Sequence, residues 1–264
     1  QVGVPVKNST LSDVYSAFYV WKNLSIELIK NLQWPFWNQY SFSGAPLLGS
    51  FQTSHFFPFN ILLLFPKNFG WALFIFGQTL VAALGMYLLL GVYIKNNLGK
   101  IAGALVFSLS GFMSTWVEFG NGVWAAACLP WIFYSLEKFW QLKKIRYLCL
   151  LTFFFGSLYL AGLVQMIIFA SAVFFYYLLF KILTKQISFQ QITLPFIYWA
   201  LSLGVAMIEI IPSYDLLGMS IRASEAYAKS FNFGLTPTGE MIRIWIADFF
   251  GNPATYNEWS KLTY

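Results

Sequence analysis

The chain has 264 residues, of which 58% are hydrophobic and only 10% charged, against roughly 25% charged in an ordinary soluble domain. That imbalance excludes a soluble globular protein and places the chain in lipid. The net charge of +6 is carried by small basic clusters between apolar runs, not by a continuous basic stripe, which argues against nucleic acid as a partner.

Aromatic residues make up 21% of the chain, and Trp and Tyr gather near the ends of apolar runs, where amphipathic rings favour the membrane interface. Cys128 and Cys149 form no C-x-x-C pair and no metal-ligand spacing, so they are silent on redox compartment. The chain opens on Gln1-Val2-Gly3-Val4-Pro5 without a charged leader and stops in a polar stretch at Tyr264. This reads as truncation at both ends, with a transmembrane helix expected upstream to carry the opening segment across the bilayer.

The first predicted element lies within residues 1–68. Val14, Phe18, Trp21, Leu24 and Leu28 recur at helical spacing with Lys22, Glu27 and Lys30 off that stripe, the pattern of a helix lying along the interface. Asp13 stands just ahead of it. One reading makes Asp13 the N-cap, accepting backbone N–H bonds; another makes it a general base toward an acceptor hydroxyl.

Next, Gln33 to Tyr40, Phe42 to Gly49 and Gln52 to Asn60 mix aromatics, amides and turn formers. Rings such as Trp37 stack on sugar C–H surfaces while Asn38 and Gln52 bind hydroxyls, and the same mixture also suits a plain interfacial belt. His55, the only histidine, reads either as a substrate contact or as a structural hydrogen-bonding residue beside Phe56 and Phe57. With no second His, Cys or carboxylate cluster near it, no metal site is assigned.

Residues 69–94 run without a charge, long enough to cross about 30 Å of hydrocarbon. The spans expected after it cover 101–117 and 123–140, joined at Glu118 to Gly122 as a hairpin. The apolar stretch 147–180 is too long for one ordinary span and is divided at 161–165. A last span covers 192–212 and is expected to stop at Pro212, whose ring and missing N–H end helices. Residues 69–212 thus read as a bundle of about six spans, and 213–264 as a second loop.

Lys95 and Lys100, then Lys138, Lys143, Lys144 and Arg146, then Lys181 and Lys185 occupy alternate connections, which the positive-inside rule assigns to the cytoplasm. Residues 1–68, the turns at 118–122 and 162, and residues 213–264 then share the non-cytoplasmic side of a cell membrane. Glu118 at the hairpin tip is a catalytic candidate or a solvated turn carboxylate, and Glu209, inside the last span, must face protein or water. Arg222 holds a phosphate beside the bilayer or pairs with Asp215 or Glu225. The triplets at Asn8 and Asn23 are too common by chance to carry weight. No Walker A loop, nucleophile elbow or H-E-x-x-H occurs, which argues against nucleotide hydrolysis and zinc chemistry.

Four stretches in this order resemble the YfhO-like family of bacterial membrane proteins, of the GT-C glycosyltransferase superfamily. They are the Asp13 region; Pro35-Phe36-Trp37-Asn38 through Gly44-Ala45-Pro46 and on to Asn60; Ile211-Pro212 through Arg222; and Phe249-Phe250-Gly251-Asn252-Pro253. The resemblance implies an all-α integral membrane protein, a multi-pass helix bundle of GT-C type with an interfacial helix in its first outer loop. It implies Asp13 as the catalytic carboxylate; many members of the superfamily carry a second acid beside the first, where this chain has Ser12, and Glu118 is the candidate to supply that second carboxylate. Arg222 would serve the donor phosphate, and Gln52, His55, Trp37 and Asn38 the sugar or lipid. The donor it implies is a polyprenyl-phosphate sugar, and the acceptor a cell-envelope polymer or glycan such as teichoic acid. No cofactor is required by the motifs, and the two acids leave room for a divalent cation. The rival readings are a transporter or flippase of a lipid-linked sugar and a non-catalytic assembly subunit.

Overall fold

A computed structural model describes residues 13–41, 43–223, 238–246, 248–251, 257 and 259. The chain is helical almost throughout, with one two-residue β-ladder among the described residues, as expected of an all-α membrane protein. After a π-helical turn at Val14–Phe18, α1 runs Tyr19–Lys30. Strands β1 (Trp37–Asn38) and β2 (Ala45–Pro46) pair antiparallel, and 3-10 turns at Phe51–Thr53 and Pro58–Leu64 lead into the bundle. The bundle is α2 (Lys67–Tyr93), α3 (Asn97–Ser108), α4 (Gly111–Trp116), α5 (Gly122–Leu142), α6 (Arg146–Leu160), α7 (Val164–Leu183) and α8 (Thr193–Gly218).

Three helices, α2, α7 and α8 with its preceding turn from Phe189, are long and apolar enough to cross a membrane. The pair α3 and α4 can make a fourth, bent by 45° at Leu109-Ser110. By length and composition alone, three of the six expected spans, or up to four if the bent pair is one span, are long and apolar enough to cross. The other two helices, α5 and α6, form the middle of the bundle. Most of their residues are buried by neighbouring helices, and a helix sheathed in protein needs no lipid-facing surface. At 15 residues, α6 is only about 22 Å long.

Two boundaries differ from expectation. The 101–117 segment is not one straight helix, because Leu109 leaves helical geometry and Ser110 restarts the chain at extended ψ. Pro212 does not stop α8, which continues to Gly218. In a transmembrane helix an internal proline is tolerated, and α8 continues through it with the Ser213 hydroxyl adding a bond to the Glu209 carbonyl at 2.7 Å. The break at 161–165 is where the sequence put it: α6 ends at Leu160 and α7 begins at Val164.

The core is aromatic. Trp124, fully buried, stacks on Phe59 with ring centroids 4.3 Å apart and touches Phe57 and Phe74. This cluster fixes α5 against α2 and against the loop ahead of it. Such large buried rings dominate packing energy.

The connections sort into two ends. At one, Tyr93 of α2 bonds Tyr177 of α7 at 2.9 Å, Tyr177 donates to Glu137 of α5, and Trp140 donates to the Gln191 carbonyl just before α8. The lysine-bearing connections lie here. At the other end, Asn121 donates to the Gln52 carbonyl at 2.7 Å, Phe18 meets Phe119 edge to face, and Gly49 lies against Leu216 of α8. Gly162 completes this second end at a positive φ of 80°, and a Cβ there would sit 2.4 Å from the Phe51 carbonyl oxygen. Gly162→Ala is accordingly expected to lower stability by more than about 1 kcal/mol in a detergent melting experiment, since alanine fits neither the φ nor the space.

Candidate functional site

The sequence candidates separate into a rim and an interior. Asp13 is exposed at the start of the π-helical turn and its side chain makes no capping bond, so the N-cap reading is corrected. Its backbone is already helical (φ −61°, ψ −29°), whereas a capping side chain needs extended backbone to reach the N–H groups. Glu118 is exposed in the 3-10 turn Val117–Phe119. Phe18 and Phe119, 5.9 Å apart at 88°, pack these two turns together. Two carboxylates from residues 105 apart in sequence thus stand on adjoining turns at one end of the bundle. Gln52 is exposed beside them, its carbonyl held by Asn121 and its side chain uncommitted.

The other proposed sugar contacts divide differently. Trp37 is 55% exposed, with the edge of its indole over Gly44, and is available as a stacking surface. Asn38 is not available. Its amide donates to Ser41 and accepts from the Tyr40 N–H, closing the hairpin turn, which corrects its reading as a hydroxyl binder. Asn23 likewise spends its amide on the Tyr19 carbonyl. Arg222 lies in the turn Ile221–Ala223 that follows α8 at this same end. Its side chain lies outside the described residues, as do Asn8, Glu225, Asn252 and Pro253.

Of the two readings of His55, the structure favours the structural hydrogen-bonding residue over the substrate contact. It is 3% exposed, its Nδ1 accepts from Ser25 Oγ at 2.8 Å, and its Nε2–H is shared between the Leu47 carbonyl and Thr53 Oγ1. With Nε2–H given to a carbonyl and burial disfavouring a charge, the ring is assigned as neutral with Nδ1 as acceptor. Burial pushes its pKa down to about 4, the Leu47 carbonyl opposing this and nearby Lys22 adding to it. A folded-state pKa below the unfolded 6.5 means that the unfolded chain takes up the proton first. Stability is therefore expected to fall by roughly 3 kcal/mol as pH drops from 6.5 to about 4. Denaturation of the purified protein against His55→Gln, which has no titrating ring, checks this: the variant should lack that component.

The residue that sequence reasoning misplaced most is Lys22. Expected on the solvated face of α1, it is 2% exposed. Its Nζ donates to Ser54 Oγ, to the Thr53 carbonyl and to Asn60 Oδ1, and lies 5.1 Å from the centre of the Phe74 ring. Burial lowers its pKa to about 7, and the Glu209 carboxylate opposes that fall. Helix α1 thus buries Lys22, Ser25 and Ile26, while of the expected apolar stripe Val14 is buried and Phe18, Trp21, Leu24 and Leu28 are half-buried. No periodicity count shows this, because the face that docks is polar and is matched by hydroxyls and carbonyls supplied 31 to 38 residues later.

Glu209 is buried in protein, as the cost of a lipid-facing charge requires. Its Oε1 accepts the Phe56 N–H at 2.6 Å and its Oε2 has no partner. Together Lys22, His55 and Glu209 form a polar floor that holds the loop 47–60 onto α1 and α8, and the exposed carboxylates stand on the rim above. An apolar groove of about 150 Å³ between α4 and α7, lined by Phe112, Trp116, Leu163, Gln165, Met166 and Phe169, adjoins that rim through Trp116, whose ring meets Phe119. Among the described residues no group of three or more His, Cys, Asp or Glu side chains comes together to hold a metal ion. The chain matches no protein-family model, no curated protein and no solved structure.

Proposed function

We propose that the protein is a membrane glycosyltransferase of GT-C type that moves a sugar from a polyprenyl-phosphate donor to a cell-envelope acceptor on the non-cytoplasmic face. The observation that carries this reading is that two exposed carboxylates, Asp13 and Glu118, stand on turns that pack together at the end of the bundle opposite the lysine-bearing connections. Asp13 takes the proton of the acceptor hydroxyl as that oxygen attacks the anomeric carbon. The bond from this carbon to the phosphate oxygen breaks, with inversion, and Arg222 steadies the departing phosphate. Glu118 orients the acceptor or shares a divalent cation with Asp13. Trp37 offers a stacking face to the sugar, Gln52 a hydroxyl partner, and the groove beside Trp116 an apolar wall for the start of the prenyl chain.

The test is transfer itself. Purified protein in vesicles, given a labelled polyprenyl-phosphate sugar and envelope polymer, should move label into the polymer.

A second reading is favoured by the ionisable residues inside the bundle, Glu209 with its unpartnered oxygen and the Glu137–Lys181 pair. Intramembrane charges mark transport paths as well as structural pins. A transporter of the lipid-linked sugar would change the leaflet of the label without transferring it.

A further inference from the structure

We infer that the end of the bundle bearing the lysine connections is a binding surface for anionic phospholipid headgroups. Lys95, Lys143, Lys144, Arg146 and Lys185 are all exposed there, at the ends of α2, α5, α6 and α7. The carboxylates between residues 94 and 192 are Glu118, at the opposite end, and Glu137, which is closed in a pair with Lys181 at 2.6 Å. Among the described residues the exposed cations therefore form no ion pair with an internal carboxylate.

The backbone adds a second, independent observation. Lys143 and Lys185 end α5 and α7 in the left-handed region, at φ 52° and 56°. Lys143 N–H closes on the Phe139 carbonyl, and the turn at Lys185 bonds Gln186 N–H to the Lys181 carbonyl. Both are helix-ending motifs that glycine fits best, and a residue with a Cβ is strained there. Two exposed lysines held at such positions, at the ends of α5 and α7 on one rim, offer cationic side chains to headgroup phosphates. A lysine near a helix C-terminus also complements the helix dipole, and this explanation differs in what glycine would do.

The experiment uses the full chain in neutral detergent micelles, titrated with phosphatidylglycerol or phosphatidylcholine, with bound lipid counted by native mass spectrometry and Tm followed in parallel. Phosphatidylglycerol should bind and raise Tm, phosphatidylcholine should do neither, and the difference should fade in about 0.5 M salt as charges are screened. Lys143→Gly with Lys185→Gly should leave the lipid-free Tm unchanged or higher and weaken phosphatidylglycerol binding by more than about tenfold. Should that variant fail to accumulate, Lys144→Gln with Arg146→Gln carries the same comparison, because neither residue is in the left-handed region. Equal response to both lipids, an equal Tm rise with inorganic phosphate alone, or a double variant that loses lipid-free stability yet binds as before would each overturn the inference.

Discussion

Asp13→Asn is expected to lower sugar transfer by about a hundredfold or more, the usual contribution of a positioned general base, while leaving expression and Tm unchanged. The second half follows from the structure: the side chain is exposed and makes no capping bond, so the amide disturbs no packing and orphans no donor. Glu118→Gln, equally exposed in the neighbouring turn, should also leave Tm unchanged. If Glu118 orients the acceptor, its loss should raise KM more than it lowers kcat, whereas loss of the base falls on kcat. Full transfer by the Asp13→Asn protein would remove Asp13 from the chemistry, and a fall in Tm that matched the fall in activity would make its role structural.

The largest stability effect is expected at the opposite end. Lys181→Met should destabilise the protein by about 3–5 kcal/mol, because it leaves Glu137 as an uncompensated charge inside the bundle. The two side chains are only 10% and 8% exposed, and Glu137 also accepts the Tyr177 hydroxyl at 2.5 Å. Adding Glu137→Gln removes the charge and keeps an acceptor for Tyr177, so the double variant should recover most of the loss. Melting of the four proteins of this cycle in one detergent measures the coupling. A small effect of Lys181→Met alone would mean that the pair is solvated and that the charge of Lys181 serves topology only.

That lysine shows where sequence reading reaches its limit. A charge-free run such as 69–94 declares a span because length and apolarity are local properties, and the break near Gly162 is declared by the excess length of 147–180. Burial of a charge is not local. Lys181 finds its partner 44 residues back, and Lys22 finds its acceptors in a loop beyond the next turn of chain. From sequence both look like solvated cations, and the positive-inside argument counted Lys181 as one. Pro212 does not act as a stop either: α8 continues through it to Gly218, and prolines inside transmembrane helices are tolerated where the surrounding bundle holds the chain helical.

At the candidate site the acidic residues were legible, since Asp13 and Glu118 are isolated charges in apolar surroundings. That their two turns pack together was not, because it depends on the bend between α3 and α4 and on a Phe18–Phe119 contact that no spacing encodes. For Asn38 and His55 the sequence left a ligand contact and a structural role both open, because turn-closing amides and buried imidazoles share composition with sugar-binding ones. Only the hydrogen-bond partners separate the two uses.

The account stands on the two ends of the bundle facing opposite sides of the membrane, and single cysteines read that directly. In a Cys149→Ala background, with Cys128 buried, Asp13→Cys should react in intact cells with a membrane-impermeant maleimide, and Lys144→Cys should react only after the membrane is opened. Labelling of Lys144→Cys from outside, with Asp13→Cys protected until lysis, would put the carboxylates on the cytoplasmic side and contradict the proposed function.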